Sequence, residues 1–177
     1  MRSFLPAAVA ASTLLALATP ALAEEASAEM RAVSAEGIGE SMGTVQLSDG
    51  DGGLTLVLEV QGLTPGEHGF HLHENGSCEP AANAEGQMTA AQGAGGHYDP
   101  DDTGTHAGPE GDGHKGDLPV LEVGSDGIAT SELSAPRLTV ADARGKALMI
   151  HAGGDNYSDQ PKPLGGGGGR VACGIVQ

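Results

Sequence analysis

Six of the seven histidines lie between residues 68 and 117, and their spacing is typical of metal ligands. His71 and His73 end an apolar, strand-like run, and the two-residue period of a strand turns both imidazoles to one face. Four further ligand-type side chains follow within one polar segment: His97, His106, His114 and Asp117. Three nitrogens and one carboxylate suit tetrahedral zinc, and imidazole-rich sites also suit copper. We therefore interpret this stretch as a site for two metal ions.

The count of ligands indicates how the two sites would be connected. His151 is the remaining histidine, and with it the chain offers six ligand-type histidines and one aspartate, one ligand fewer than two four-coordinate sites need. An imidazole has two nitrogens, so one shared histidine would complete both sites. His97 lies in sequence between the two groups and is the natural bridge. His68 comes three residues before His71, faces the other way in a regular strand, and is predicted to bind no metal.

The first residues have the pattern of a secretory signal peptide. Arg2 precedes an apolar run over residues 4–17, and Ala21-Leu22-Ala23 is a small-x-small cleavage signal. The apolar run is too short for a membrane anchor and Pro20 follows it. We predict a signal peptide over residues 1–23, one domain over residues 24–177, and export to the periplasm.

Net charge and cysteine content indicate which partners and which redox state to expect. Removal of Arg2 leaves 7 basic residues against 24 acidic ones, a formal net charge of −17, which argues against nucleic acid and anionic membranes as partners. Cys78 and Cys173 in an exported chain most simply form one disulfide, with two free thiols as the alternative.

The rest of the chain is typical of an all-β domain. Short runs of alternating apolar character, such as residues 44–47, 54–61, 118–123, 128–133, 147–151 and 170–176, are separated by glycine-rich turns. Strands at this spacing indicate a sandwich or barrel with a core of Val, Leu and Ile. Residues 24–29 are expected to be a mobile lead-in, and residues 135–147 could include a turn of helix. Residues 74–115 and 152–169 are long polar loops that we predict to be functional.

Six segments together resemble the copper,zinc superoxide dismutases, and residues 155–168 resemble the bacterial periplasmic branch of that family. These segments are Gly69-Phe-His-Leu-His73, Gly95-Gly-His-Tyr-Asp-Pro100, His106-Ala-Gly-Pro109, His114-Lys-Gly-Asp-Leu118, Ile150-His-Ala-Gly-Gly-Asp155 and Gly169-Arg-Val-Ala-Cys-Gly174. The resemblance covers essentially the whole mature chain. It implies an eight-stranded antiparallel Greek-key sandwich or barrel with two long functional loops.

The resemblance also implies a role for each candidate residue. One copper ion per chain would be held by His71, His73, His97 and His151, and one zinc ion by His97, His106, His114 and Asp117. Asp155 would link the copper ligand His71 to the zinc ligand His106, and such outer partners fix ring orientation. Arg170 would stand at the mouth of the copper channel, and the Cys78–Cys173 disulfide would tether the loop beside it.

The activity implied by the resemblance is dismutation of superoxide to dioxygen and hydrogen peroxide by redox cycling of copper, with His97 supplying a proton and zinc structural. A body with a net charge of −17 repels an anionic substrate at long range, so local positive charge must dominate within roughly 8 to 10 Å. Arg170 provides that charge, with Lys162 and Lys115 as candidates for assistance. Whether Tyr157 belongs to the channel or only packs is open, as is the choice between monomer and homodimer.

Three other interpretations compete with this one. A metal-buffering or metal-delivery protein would be expected to lack a copper histidine or the channel arginine, whereas this chain has both. A purely structural β-sandwich would leave the clustered ligands a coincidence. Residues 99–110 imitate a calcium-binding EF-hand loop, but Thr103 stands where Asp or Asn is usual and His106 falls inside the loop. Pro109 and the glycines also disfavour the flanking helices that such a loop needs.

Overall fold

The computed structural model describes residues 23–177, so the predicted signal peptide lies outside the described residues apart from Ala23. Between residues 23 and 177, helical structure is confined to α1 (Val140–Ala143) and to 3-10 turns at Gln92–Ala94 and Leu164–Gly166. The position of α1 confirms the turn of helix predicted within residues 135–147. No helix in this part of the chain is long and apolar enough to cross a membrane.

Antiparallel strands make up most of the remaining regular structure. In chain order they are β1 (Glu25–Ser34), β2 (Gly37–Gly50), β3 (Gly53–Gln61), β4 (Gly66–His68), β5 (Phe70–His73), β6 (Ala81–Ala82), β7 (Met88–Thr89), β8 (Leu121–Val123), β9 (Ile128–Ala135), β10 (Ala147–His151) and β11 (Arg170–Ile175). Seven of them form one sheet in the order β5-β10-β11-β1-β2-β3-β9, while β4 pairs with β8 and β6 with β7. The predicted all-β class is confirmed.

The sheet curls towards a barrel because one strand contributes to two pairings. β4 and β5 are two halves of a strand interrupted at Gly69; β5 pairs with β10, and β4 pairs with β8. β8 then turns into β9 through a tight turn in which Gly127 N–H donates to the carbonyl of Gly124, at 2.9 Å. If β4 and β5 are taken as one strand and the small β6–β7 hairpin is set aside, the predicted count of eight is approximately correct.

Alternation of buried and exposed side chains along the strands creates the core. In β3, Leu54, Leu56, Leu58 and Val60 are buried, whereas Val57 on the opposite face is 46% exposed. β3 pairs with β2 across one of the predicted glycine-rich turns, so that Gly50 lies opposite Gly53. The fully buried side chains are mostly leucines, joined by Met30 and Phe70. Burial of each such leucine contributes about 1.5 to 3 kcal/mol.

The prediction of a mobile lead-in over residues 24–29 is wrong. These residues enter β1, which pairs with β2 on one side and β11 on the other. Ala26, Ala28 and Met30 point inward while the intervening residues are exposed. Alanine and glutamate have low strand propensity, and pairing with β2 overrides that preference.

Both long polar segments are loops that connect strands carrying candidate ligands. The first leaves β5 after His73, contains the β6–β7 hairpin, and returns at β8; we call it the zinc loop. The second leaves β10 after His151 and returns at β11 with Arg170; we call it the channel loop. The barrel therefore supplies rigid anchor points for both ends of each loop.

Candidate metal centre

Neighbouring strands bring three of the candidate ligands together. His71 and His73 lie on β5, are buried, and have ring centroids 6.5 Å apart. β10 runs antiparallel beside β5, with Met149 opposite His71, and ends at His151. The ring of His151 lies 4.9 Å from that of His71 and 5.6 Å from that of His73. Residues separated by 80 positions in sequence thus form one cluster of imidazoles.

The zinc loop is fastened to β5 through its backbone, which places the remaining ligands. Isolated β-bridges join His73 to His97 and His71 to Asp117. Between them, Leu72 N–H donates to the carbonyl of Gly116 and Tyr98 N–H donates to the carbonyl of Leu72, both at 2.8 Å. A Cβ at position 116 would lie 2.2 Å from the Leu72 oxygen, so only glycine allows this close approach.

The clearest sign of metal binding is a set of buried nitrogens without partners. Within residues 23–177, six imidazole nitrogens are buried and have no hydrogen-bond partner: His71 Nδ1, His73 Nε2, His97 Nε2, His106 Nδ1, His114 Nδ1 and His151 Nε2. Leaving a buried polar atom unsatisfied costs about 1 to 3 kcal/mol. Six such atoms in one region indicate that their lone pairs are meant for cations.

The opposite nitrogen of four of these rings is occupied, which fixes the orientation of each ring. His71 Nε2 and His106 Nε2 donate to the two carboxylate oxygens of Asp155, at 2.7 and 2.8 Å. His73 Nδ1 donates to the carbonyl of Gly95 at 3.0 Å, and His151 Nδ1 points to the carbonyl of Gly168 at 3.2 Å. With the proton on these nitrogens, the partnerless nitrogen of each neutral ring is left with a lone pair that can bind a metal ion.

His97 lies between two groups of potential ligand atoms. One group is His71, His73, His97 and His151, whose ligand atoms lie within 4.8 Å of one another; the other is His71, His97, His106 and Asp117. His97 Nδ1 is 2.9 Å from Asp117 Oδ1, while its Nε2 is the partnerless nitrogen. The ring can therefore serve both groups with different nitrogens, as the count of ligands predicted.

The second group differs from the predicted zinc ligands by containing His71 in place of His114. His71 has already used Nε2 on Asp155, so its free Nδ1 can serve one ion. The carboxylate of Asp117, in contrast, faces three Nδ1 atoms: those of His97 at 2.9 Å, His106 at 3.0 Å and His114 at 3.4 Å. His114 thus stands beside the second group, somewhat further out than the other rings.

Burial keeps the first group of histidines neutral. It lowers the pKa of His71 to about 3 and that of His151 to about 4, and it lowers the pKa of His73 and His97 as well. Neighbouring rings act in the same direction, because no two of them can be protonated at close range without repulsion. The neutral imidazole is the form that binds a metal ion.

The carboxylates have the opposite effect at the second group. Burial alone would lower the pKa of His106, but the neighbouring carboxylates of Asp117 and Asp155 raise it to about 9. Burial would likewise raise the pKa of each aspartate, yet His106 and a second histidine beside each carboxylate hold both pKa values well below the usual range. Without a cation, a proton on His106 Nδ1 would face an oxygen of Asp117; a metal ion between these two atoms would displace that proton, while Nε2–H stays on Asp155.

The channel loop is attached to the zinc loop by three alternate residues. Asp155 contacts both His71 and His106, and Asp159 accepts a hydrogen bond from His106 N–H at 2.9 Å. Between them, the ring of Tyr157 lies against Gly108, and its hydroxyl accepts a hydrogen bond from Val120 N–H at 3.0 Å. Tyr157 therefore packs between the loops, which answers the question its sequence position left open.

Arg170 is held at the base of the channel loop by the disulfide-linked segment. The predicted Cys78–Cys173 disulfide is present, with the two Cα atoms 5.7 Å apart. The guanidinium donates to the carbonyls of Ala91 and Gly95, both at 2.6 Å. Gly95 also accepts the hydrogen bond from His73, so the arginine and a candidate copper ligand share one anchoring carbonyl. The charge of Arg170 contributes to the lowered pKa of that histidine.

The two lysines considered as helpers of Arg170, and His68, have surroundings different from those of the clustered ligands. Lys115 forms an ion pair with Asp142 at 2.9 Å, so its charge is neutralised locally. Lys162 is exposed on the channel loop. His68 has no free nitrogen for a metal ion, because its two ring nitrogens lie 2.6 and 2.7 Å from the carbonyls of His151 and Thr64. It holds the backbone of a candidate ligand instead, a role that sequence spacing did not reveal.

Comparison with known proteins agrees with the chemistry of this donor set. Residues 41–176 match the family model described as copper/zinc superoxide dismutase (SODC). The chain belongs to the copper/zinc superoxide dismutase family. A superoxide dismutase [Cu-Zn] of Salmonella typhimurium is 57% identical over 166 residues, which cover 93% of this chain and 95% of that protein.

Solved structures of this superoxide dismutase family share the fold. That of the copper/zinc superoxide dismutase from Brucella abortus has a TM-score of 0.85 and 48% identity, and it covers 87% of this chain and all of that one. The solution structure of the enzyme from Salmonella enterica, described as monomeric, has a TM-score of 0.77 and 56% identity over the same shares.

The substitution Asp155→Asn tests how far metal binding depends on the bridge between the two groups. An amide offers one oxygen where the carboxylate offers two, so either His71 or His106 loses its acceptor. We expect about 10- to 100-fold weaker binding of at least one metal ion, measured by competition with a chelator. Asp101→Asn, an exposed position in the zinc loop, is the matched control. Wild-type retention of both metals by Asp155→Asn would contradict the prediction.

Proposed function

We propose that this chain dismutes superoxide to dioxygen and hydrogen peroxide with one copper and one zinc ion per chain. The observation that carries the proposal is the set of six buried, partnerless imidazole nitrogens arranged around His97. Membership of the copper/zinc superoxide dismutase family supports the same reaction and the same two metals. The reaction takes two superoxide anions and two protons to one dioxygen and one hydrogen peroxide.

The ligand assignment follows from which nitrogens are free. Copper would be held by the first group: His71 Nδ1, His73 Nε2, His97 Nε2 and His151 Nε2. Zinc would be held by the three Nδ1 atoms that face the Asp117 carboxylate, those of His97, His106 and His114, together with that carboxylate. Support for His114 over His71 at zinc is the hydrogen bond from His71 to Asp155, which leaves His71 a single free nitrogen. Three nitrogens and a carboxylate match zinc in charge and geometry.

The protein residues position the substrate and its proton. When bound, copper supplies one-electron redox chemistry, and zinc is redox-silent. His97 is the proton carrier: with Nδ1 held on the zinc side beside Asp117, a proton taken up by this ring would reside on Nε2, from which it is donated to the product. Burial around His97 favours the neutral ring and so favours release of that proton.

Arg170 binds and orients the anionic substrate. Its guanidinium is fixed by the carbonyls of Ala91 and Gly95, so its charge is held in place before the substrate arrives. Preorganised charge costs no rearrangement during the reaction. The surrounding protein carries a net charge of −17 after loss of the signal peptide, so this local charge has to act within roughly 8 to 10 Å.

Metal content and activity measured on one sample test the proposal directly. Protein purified from the periplasm should contain close to one copper and one zinc ion per chain by mass spectrometry and should consume superoxide. Removal of both metals by a chelator should abolish activity and lower the melting temperature, because the six nitrogens are then left without partners. A zinc-only protein that stays inactive after copper is added would favour the metal-buffering interpretation.

The role of Arg170 can be separated from metal binding by charge reversal. We expect Arg170→Glu to lower kcat/KM at least tenfold while copper and zinc contents stay near wild-type levels, and to alter the dependence of the rate on ionic strength. Lys162→Glu, on the exposed channel loop, is the comparison. Equal loss of activity and metal in Arg170→Glu would assign the arginine a structural role.

We further propose that residues 1–23 direct export to the periplasm and are then removed. The Cys78–Cys173 disulfide supports an oxidising compartment. Mass spectrometry of the protein in a periplasmic fraction should find Glu24 as the first residue. An intact Met1 in protein recovered from the cytoplasm would contradict export. The monomeric relative from Salmonella enterica favours a monomer over the homodimer that the sequence left open.

A further inference from the structure

One arginine outside the two metal groups makes three contacts with the zinc loop. Arg137 follows the end of β9, and its half-buried guanidinium reaches across to the backbone beside His114. It donates through Nη1 to the carbonyl of Gly111, through Nη2 to that of Gly113 at 2.6 Å, and through Nη1 to that of His114 at 3.3 Å. The segment over residues 111–114 is therefore held from outside by a single side chain.

His114 is the candidate ligand that most needs such support. Four of the other histidines have their second nitrogen fixed by Asp155, Gly95 or Gly168. Within residues 23–177, no hydrogen bond to the second nitrogen of His114 is present, and its Nδ1 is the one furthest from Asp117. The ring must therefore be positioned through its backbone, where His114 N–H donates to the carbonyl of Thr105 at 2.8 Å.

The inner side of the same segment is packed closely against residues 105–107. A Cβ at Gly113 would lie 2.2 Å from the Thr105 oxygen, and one at Gly111 would lie 2.4 Å from the Ala107 oxygen. The segment is thus enclosed between the backbone next to His106 and the guanidinium of Arg137. Movement of His114 away from Asp117 would require the arginine to release its carbonyls.

A second contact joins the same two regions. Lys115, the residue after His114, forms its ion pair with Asp142 on α1. Asp142 also accepts hydrogen bonds from the N–H and hydroxyl of Thr139, forming the capping box that begins α1. The stretch from Arg137 to Asp142 thus forms a small platform on which residues 111–115 rest.

We propose that Arg137 is a positioning residue for the zinc site, which holds His114 in reach of the ion and slows zinc release. The inference rests on the ligand assignment made under the proposed function. A charged donor on three backbone carbonyls is well suited to this task, because hydrogen bonds from charged groups are stronger than those between neutral groups. The effect should fall on zinc, since the side-chain hydrogen bonds of Arg137 within residues 23–177 all go to residues 111–114 and none to β5 or β10, which carry most of the copper ligands.

The test measures the rate at which the fully metallated enzyme transfers zinc to a chromogenic chelator. Arg137→Met should release zinc about 10- to 100-fold faster than wild type, and Arg137→Lys should give an intermediate rate. Copper content should stay near wild type, and cobalt substituted for zinc should show an altered visible absorption spectrum. Arg144→Met is the matched control, because Arg144 pairs with Glu24 and the carbonyl of Glu25 rather than with the zinc loop.

Several outcomes would overturn the inference. If Arg137→Met melts at a lower temperature in its metal-free form but releases zinc at the wild-type rate, the arginine is merely structural. If Arg137→Met does not fold, Arg137→Lys carries the test, and wild-type zinc release from it has the same meaning. His114→Ala distinguishes the two proposals: wild-type release from it would remove His114 from the zinc ligands. If His114→Ala releases zinc fast but Arg137→Met releases it at the wild-type rate, His114 remains a zinc ligand and the positioning role of Arg137 is refuted.

Discussion

The structure depends on one electrostatic constraint: lone pairs of six imidazoles converge with a carboxylate in an interior that excludes water. Without cations, these nitrogens are buried polar atoms with no hydrogen-bond partner, and three imidazole rings crowd around the carboxylate of Asp117. Burial penalises protonation of His71 and His151, so protons are poor substitutes there. Cations bound between these nitrogens and the carboxylate would give each of these atoms a partner. Folding of the two loops and metal binding are therefore parts of one process.

The two sets of ligands differ in how they are supported. His71, His73 and His151 lie on adjacent paired strands, so the sheet determines their separation. His106 and His114 lie on a glycine-rich loop that has little apolar surface of its own to bury. That loop is held by discrete polar contacts: backbone bridges to β5, the carboxylate of Asp155, the ring of Tyr157 and the guanidinium of Arg137. The zinc side should therefore be the more sensitive to single substitutions.

Shared anchors couple Arg170, for which we propose substrate steering, to the metal centre. The carbonyl of Gly95 accepts hydrogen bonds from both Arg170 and His73, and the Cys78–Cys173 disulfide joins the strand of the arginine to the segment that supplies that carbonyl. Lys115 is paired with Asp142, so the strongly acidic protein relies on very few free cations near its substrate. Because the guanidinium of Arg170 is fixed before the substrate arrives, its local positive charge can offset the long-range repulsion between the acidic protein and an anionic substrate.

Local sequence determined the fold class, the hairpin between β2 and β3, and the set of ligand-type side chains, because alternation, turn residues and histidine spacing act over a few neighbouring positions. The prediction for residues 24–29 was wrong, because their weak strand propensity is overridden by pairing with β2. Only the tertiary structure decided which nitrogen of each ring is free, that Lys115 is neutralised, and that His68 and Arg137 hold backbone carbonyls. These features depend on groups brought together from distant parts of the chain, and a one-dimensional pattern carries no record of distance or direction between them.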